Sequence, residues 1–314
     1  MMPLLRGSSA HSPQRLLMIL AVAAALPQTT LLGTLAAAAA LPQTTLLIMH
    51  TPKTGGSEFR GLVFGRARQR HLSLQTDYGT SVSVQMPPSE GRGVRQFNAT
   101  RPADVIMGHH VNFRTLQPVA AGRRLRYVTI TRSPTSWFLS LYLHMRETKA
   151  TAATTLEFVR DQVRGCPTLR RDANATTCTG HLYSWHAGGV AADAPDRCSA
   201  FVALFTRPHN LILVNERMAD SVWLLFRLLD WGRPPAISHA NTRDRRAYDK
   251  KVPLAALREI DQAVASTCMP DIWASSHRRF ERVHGVARAF ARGHPGTPLG
   301  ALAERLWPPL GAAT

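Results

Sequence analysis

The chain has 314 residues, and 45% of them are hydrophobic, which is enough for a buried core in one large α/β domain or two small ones. Lysine and arginine number 38 against 20 acidic residues, giving a formal net charge of +18. This charge favours anionic partners, but it is spread along the chain and forms no continuous basic tail. The sequence therefore predicts a folded domain with a general bias towards anionic ligands, such as nucleic acid, anionic glycans, lipid head groups or nucleotides, and a possible cleft. Among these, no nucleic-acid partner is expected.

The first 43 residues have the pattern of a targeting segment. Arg6 and Arg15 precede an apolar core of about 11 residues, which is typical of a signal peptide or a signal anchor and shorter than the roughly 20 residues of a spanning helix. The segment AAALPQTTLL at 23–32 recurs at 38–47 as a tandem duplication. Both a membrane anchor and a cleaved signal remain open.

The cysteines and glycosylation sequons fit a lumenal chain. The four cysteines are Cys166, Cys178, Cys198 and Cys268. They allow three pairings, and a Cys166–Cys178 bridge would close a loop around the sequon at Asn174. A second sequon lies at Asn98. Together with the leader these features favour the secretory pathway, where disulfides form, although free buried thiols are the alternative.

Strand and helix patterns alternate in a predicted domain at 44–290. Short apolar runs predict strands at 44–50, 103–107, 126–130 and 210–214. Apolar residues at helical spacing predict helices at 58–71, from 134 onward, at 156–163 and at 220–229, the last capped by Asp220. Loops are predicted at 72–102 and 165–200, and a Pro/Gly/Ala-rich tail at 291–314. This alternation predicts an α/β fold with a P-loop-like parallel sheet flanked by helices.

The segment IMHTPKTGGSEFRGLV, residues 48–63, runs from a strand through a glycine loop into a helix. Gly55 and Gly56 let backbone amides converge on an anion, and the helix N-terminus near Ser57 adds partial positive charge. Lys53, one of only four lysines, adds a compact full charge. A nucleotide P-loop has its lysine after the glycines, whereas here it comes first. The loop is predicted to bind an anion; an ordinary turn with a surface lysine is the alternative.

A second candidate anion site follows the strand predicted at 126–130. Arg132 stands at its carboxyl end, where open α/β sheets bind ligands, and Pro134 suits the first turn of the next helix. Ser140 lies eight residues after Arg132, so the helix can bring its hydroxyl beside the guanidinium. An arginine fork with a hydroxyl is a phosphate site. The alternative is an arginine held at the sheet edge by an ion pair.

These residues resemble the donor site of Golgi carbohydrate sulfotransferases. Lys53, Thr54, Gly55, Gly56 and Ser57, preceded by His50 and Pro52, resemble the family's 5′-phosphosulfate loop, and Arg132 with Ser140 resembles its 3′-phosphate motif.

A third block narrows the resemblance. Residues 212–231, ILVNERMADSVWLLFRLLDW, are similar to a block of the galactose 3-O-sulfotransferase family, which includes galactosylceramide sulfotransferase. Ala219 departs from an acidic residue of that family. The matching positions are Glu216, Ser221, Leu224, Leu225, Leu228, Leu229 and Trp231.

The resemblance implies 3′-phosphoadenosine 5′-phosphosulfate (PAPS) as the donor, with no metal, in a sulfotransferase-type fold. The backbone of residues 54–57 would hold the 5′ end, and Lys53 would neutralise the bridging oxygen as the phosphate leaves. It also implies the Golgi lumen, a type II membrane protein or a secreted one, and a glycan or glycolipid acceptor. The 3-hydroxyl of galactose is favoured, although the loop with Pro52 also resembles uronyl 2-O- and glucosaminyl 6-O-sulfotransferases.

A base for the acceptor hydroxyl is predicted in VIMGHHVNF, residues 105–113. Histidine titrates near neutral pH and suits this role. The family has a histidine with an aromatic residue three positions later, a spacing that His110 and Phe113 match. His109 is the second candidate. The alternatives are a histidine pair with no chemical role or half of a metal site.

Several other residues have open interpretations. Glu216 either orients the acceptor or an active-site partner, or is structural. The arginines at 243, 245 and 246 form an acceptor-facing patch or a solvated charge run. Core positions are expected for Trp137, Trp223 and Trp231. Two other classes of protein stay as alternatives: a P-loop kinase of small molecules, and a non-enzymatic basic glycan-binding module.

Overall fold

The computed structural model describes residues 44–50, 56–76, 103–108, 111, 123–146, 157, 196–237 and 254–310. All of them lie in one compact unit, Gln43–Thr314. The leader, the sequons, Cys166, Cys178 and the arginines at 243–246 lie outside the described residues, as does all but residue 157 of the helix predicted at 156–163.

The described elements alternate between strands and helices along the chain. The strands are β1 (Thr44–Met49), β2 (Leu74–Thr76), β3 (Val105–Gly108), β4 (Arg124–Thr131) and β5 (Asn210–Val214). The helices are α1 (Gly56–Gln69), α2 (Pro134–Arg146), α3 (Arg197–Phe205), α4 (Met218–Leu228), α5 (Leu254–Ala265), α6 (Met269–Gly293) and α7 (Gly300–Leu306). A 3-10 turn, Asn215–Arg217, joins β5 to α4.

The five strands form one parallel sheet in the order β2-β3-β1-β4-β5. Strand β1 is central, with Met49 paired to Gly108 of β3 on one side and to Thr129 of β4 on the other. Because all strands run the same way, their carboxyl ends meet at one edge of the sheet. The predicted α/β fold with a P-loop-like parallel sheet flanked by helices is confirmed.

Both faces of the sheet are covered by helices, so β1, β3, β4 and β5 are buried along almost their whole length. Alternate residues of β1 point to opposite faces. Leu47 and Met49 pack with α2, α3 and α5, whereas Leu46 and Ile48 pack with α1, α4 and α7. Helix α6 contributes to both clusters, with Ile272 in the first and Phe280 in the second.

A disulfide ties the second half of the chain together. Cys198 in α3 is bonded to Cys268, the residue that precedes α6. This is one of the pairings that the sequence left open. Cys166 and Cys178 are then the two remaining cysteines, and the bridge between them stays a prediction.

The segment after residue 290 is part of the fold rather than the marginal tail that its Pro/Gly/Ala-rich composition predicts. Helix α6 runs on to Gly293, and Trp307 after α7 is completely buried. Leu310 forms a backbone bridge with Leu125 of β4. The composition fails to predict this because the packing depends on Trp307, whose contact residues, such as Tyr127, lie far away in the sequence.

Three other local predictions differ from the structure. Strand β2 and helix α3 lie partly or wholly in the segments predicted as loops, 72–102 and 165–200. Helix α4 begins at Met218 with Arg217 as its N-cap residue, so Asp220 does not cap it. The carboxylate of Asp220 instead forms an ion pair with Arg217, in which Nη2 of the arginine lies 2.6 Å from Oδ2. Within the described residues, no helix is long and apolar enough to cross a membrane.

Candidate functional site

The candidate site lies at the carboxyl edge of the sheet, where hydrogen bonds hold the strand ends in place. The backbone N–H of His50, just after β1, donates to the carbonyl oxygen of Gly108 at the end of β3, at 3.0 Å. The hydroxyl of Thr131, at the end of β4, donates to the carbonyl oxygen of Leu213 in β5, at 3.1 Å. The loops that leave this edge therefore start from fixed positions.

Helix α1 begins at this edge within the predicted 5′ loop, because the last two residues of the loop are the first two of the helix. Its first residues are Gly56 and Ser57, and buried Phe59 and Val63 fix the helix against the sheet. The helix N-terminus therefore directs its partial positive charge towards the region beyond β1. Lys53, Thr54 and Gly55 lie outside the described residues.

The second loop at this edge leads from β4 into α2. Arg132 is half-buried and follows Thr131, which is fully buried. Ser133 caps α2, since its carbonyl oxygen accepts the N–H of Trp137 at 2.9 Å and its hydroxyl accepts the N–H of Ser136 at 3.4 Å. This places Arg132 beside a second helix N-terminus.

Ser140 lies on the same side of α2 as its cap. Ser133, Ser136 and Ser140 are spaced by three and four residues, which aligns them along one helix face. Each of the three is half-buried. Ser140 stands about 10 Å from Ser133 along the helix axis. The structure thus places the predicted pair Arg132 and Ser140 in neighbouring parts of one loop and helix.

Glu216 is joined to this loop, a contact that the sequence alone did not reveal. Its carboxylate accepts the backbone N–H of Ser133 at 2.8 Å. Glu216 belongs to the 3-10 turn after β5, so the carboxyl ends of β4 and β5 are linked by a side chain as well as by the sheet. The sequence had one signal for Ser133 itself, because a serine before a proline is a frequent start of a helix.

Charged residues of α4 and α6 support the 3-10 turn. Asp220 accepts hydrogen bonds from Arg217 at 2.7 Å and from Arg288 at 3.0 Å. Burial by itself would raise the pKa of Asp220, but these hydrogen bonds outweigh it and lower the pKa below its usual value. Arg288 also lies over the ring of Trp223 at 3.7 Å. Trp137 and Trp231 are buried as predicted, whereas Trp223 is half-buried.

The two candidate bases, His109 and His110, lie outside the described residues, although the residues on either side of them, Gly108 and Val111, are described. Both flanking residues are buried: Gly108 at the end of β3 and Val111 in the core. The roles of His109 and His110 therefore stay predictions. Among the residues that the structure describes, no group of three or more histidine, cysteine or acidic side chains is arranged to hold a metal.

Comparison with protein-family models and with curated proteins finds no match. Among solved structures, the chain is similar to a sulfotransferase from Alicyclobacillus acidocaldarius, with 15% identity, a TM-score of 0.36, and coverage of 72% of this chain and 96% of that one. It is also similar to the mouse sulfotransferase SULT7A1 complexed with PAP, with 11% identity, a TM-score of 0.34, and coverage of 84% and 88% respectively. At these TM-scores the likeness does not decide function, which depends on the chain's own residues.

Proposed function

We propose that this chain is a sulfotransferase that moves a sulfuryl group from PAPS to a hydroxyl of a glycan or glycolipid, with the 3-hydroxyl of galactose as the favoured acceptor. The observation that carries the proposal is the adjacency of β1 and β4 in the parallel sheet. Their carboxyl ends lie about 5 Å apart across the sheet. The loop with Lys53 and the loop with Arg132 therefore leave the same edge side by side.

Two neighbouring anion-binding loops suit a donor with phosphates at two ends. The loop after β1 combines Lys53 with the N-terminus of α1, and the loop after β4 combines Arg132 with the N-terminus of α2. PAPS has a phosphosulfate at the 5′ position and a phosphate at the 3′ position of one ribose. A nucleoside triphosphate places all of its phosphates in one row, and the lysine before the glycines departs from the loop that binds it.

The proposed reaction is an in-line displacement at sulfur. The acceptor oxygen forms a bond to sulfur as the bond from sulfur to the 5′-phosphate oxygen breaks, leaving 3′-phosphoadenosine 5′-phosphate (PAP). Lys53 would stabilise the negative charge that develops on the leaving oxygen. His110, or His109 in the second assignment, would take the acceptor proton. Such transfers depend on positioning and charge stabilisation more than on covalent chemistry by the protein.

The proposed compartment is the Golgi lumen, with residues 1–43 as a type II anchor or, in the alternative, a cleaved signal. The Cys198–Cys268 disulfide supports an oxidising compartment, because such bonds are rare in the cytosol. The acceptor class rests on the resemblance of residues 212–231.

The test is transfer of labelled sulfate from PAPS by the purified chain to galactosylceramide, β-galactosyl oligosaccharides and heparan. We expect transfer to a galactose acceptor and a drop of 10²-fold or more in kcat for Lys53→Ala, since it removes the charge at the leaving group. Lys250→Ala removes another of the four lysines and is the matched control. Transfer to heparan alone would replace the galactose assignment by the uronyl or glucosaminyl one.

One of the following outcomes would contradict the proposed mechanism, and the other two would contradict the sulfotransferase proposal itself. Full transfer by Lys53→Ala would exclude the mechanism in which this lysine stabilises the leaving group. Transfer of phosphate from ATP with no transfer of sulfate would favour the small-molecule kinase. Binding of glycans without stabilisation by PAP or transfer of any group would favour the glycan-binding module.

A further inference from the structure

The 3-10 turn Asn215–Arg217 is fixed where it leaves β5. The hydroxyl of Ser221 in α4 accepts the N–H of Val214 and donates to the carbonyl oxygen of the same residue, both at 2.9 Å. Ser221 and Val214 are fully buried. Helix α4 therefore holds the last residue of the strand by both of its backbone polar groups, and the turn begins from a rigid point.

The other end of the turn is fixed by Arg217. Its guanidinium donates to Asp220 of α4 at 2.7 Å and to Glu281 of α6 at 2.7 Å, and it lies over the ring of Phe280 at 5.7 Å. Charge-assisted hydrogen bonds of this kind are stronger and geometrically more specific than neutral ones. Two helices therefore hold the backbone on the C-terminal side of Glu216.

Glu216 stands between these two fixed points, and its carboxylate contacts the neighbouring loop. It accepts the N–H of Ser133, the residue that follows Arg132 and caps α2. A carboxylate at a helix N-terminus is electrostatically favourable for the helix. Beside a site for an anionic donor, however, the same negative charge opposes the ligand. Glu216 favours donor binding overall if its hydrogen bond fixes the position of Arg132, and if the resulting gain in donor affinity exceeds the loss from this repulsion.

We propose that Glu216 is a positioning residue for the donor: by holding the Ser133 amide, it fixes Arg132 to receive the 3′-phosphate. This inference rests on the proposed sulfotransferase function. Because the 3-10 turn is rigid, the hydrogen bond from the Ser133 amide to Glu216 restrains the loop between β4 and α2. Glu216 touches neither the sulfur nor the acceptor in this account, so its effect is confined to donor binding.

Removal of the carboxylate therefore has a specific kinetic signature. Arg132 binds an end of the donor that does not react, and such binding is equal in the ground state and the transition state. We expect Glu216→Ala to raise the KM for PAPS about tenfold while kcat stays within about twofold. We expect Glu216→Gln, which keeps a side-chain oxygen as acceptor, to restore most of the donor affinity.

The experiment compares wild type, Glu216→Ala, Glu216→Gln and the control Glu304→Ala. Glu304 is also an exposed glutamate, but it forms ion pairs with Arg124 and Arg126 in β4, whereas Glu216 contacts the loop at the carboxyl edge of the sheet. The readouts are the KM and kcat for PAPS, and hydrogen exchange of the Ser133 amide in the free protein. We expect faster exchange at Ser133 in Glu216→Ala only, because its acceptor is lost.

The inference is overturned by an unchanged or lowered donor KM in Glu216→Ala, since the carboxylate would then only repel the donor. It is also overturned by unchanged exchange at Ser133, or by a loss in Glu216→Gln as large as in Glu216→Ala. These outcomes are separate from failure of the proposed function. A wild-type protein that neither binds PAP nor transfers sulfate would overturn both, whereas an active wild type with a silent Glu216→Ala overturns the positioning role alone.

Discussion

The indole nitrogen of Trp307 donates hydrogen bonds of 3.0 Å to the carbonyl oxygens of Tyr127 and of His209. Tyr127 lies in β4, 180 residues before the tryptophan. Trp307 is completely buried, and the guanidinium of Arg126 lies over its ring at 5.1 Å. Trp307 therefore joins the C-terminal segment to β4 and to the residue just before β5, the two strands whose carboxyl ends lie at the candidate site.

This contact predicts a large effect of Trp307→Ala on stability. The substitution removes a buried aromatic side chain and its hydrogen bonds, and we expect the free energy of unfolding to fall by about 3–5 kcal/mol. Arg305→Ala removes a large exposed side chain two residues earlier and is the control. Urea denaturation measures both. Equal stability of the two variants would show that the C-terminal segment does not support the sheet.

The Cys198–Cys268 disulfide predicts a second loss of stability. The bond closes a loop with a sequence separation of 70 residues. In the chain-entropy model, a loop of this length stabilises the native state by about 4 kcal/mol. We expect the double variant Cys198→Ala, Cys268→Ala to lose most of that free energy of unfolding under non-reducing conditions. A denaturation midpoint equal to that of wild type would contradict the bond's stabilising role.

Stability should fall on acidification, because two histidines are held neutral in the folded state. Burial lowers the pKa of His209 to about 4, and the charges of Arg207 and Arg279 act in the same direction. Burial also lowers the pKa of His284, against the opposing effect of Asp220. The unfolded chain takes up these protons near the ordinary value of about 6.5. Between that pH and about 4, the unfolded state therefore binds more protons than the folded state.

We expect the melting temperature of wild type to be level above about pH 6.5 and to fall from there towards pH 4. His209→Gln removes one of the two groups, so its melting temperature should fall less steeply over the same range. His277→Gln, at a half-buried position of α6, is the histidine control. A wild-type slope in His209→Gln would contradict the assignment of this histidine.

The sheet was predictable because its strands carry their signal locally. Residues 210–214 were predicted as a strand with the same bounds as β5, and the run at 44–50 differs from β1 by one residue. β2 was missed because it is a half-buried edge strand of three residues, too short for a periodic pattern. Helices α5 and α6 have no counterpart among the predicted elements.

The remaining differences arise from long-range contacts. The Pro/Gly/Ala-rich composition of the segment after residue 290 does not reveal that Trp307 is buried against β4. Asp220 has the side chain of a helix cap, yet Arg217 and Arg288 compete for its carboxylate. For the candidate site, the sequence predicts Arg132 and Ser140 as donor-binding residues, which stays a prediction, and leaves the role of Glu216 open. Its contact with Ser133 spans 83 residues, so no local pattern could reveal it.

The central claim is that two separate loops bind the two phosphate ends of one donor. Calorimetric titration with PAP and with adenosine 5′-monophosphate tests it most directly, since these ligands differ only in the 3′-phosphate. We expect Arg132→Ala to weaken PAP binding about 10- to 100-fold, because it removes charge-assisted hydrogen bonds, and to change binding of the monophosphate less than about twofold. Arg305→Ala should change neither. Equal weakening of both ligands by Arg132→Ala, or no binding of PAP by wild type, would contradict the account.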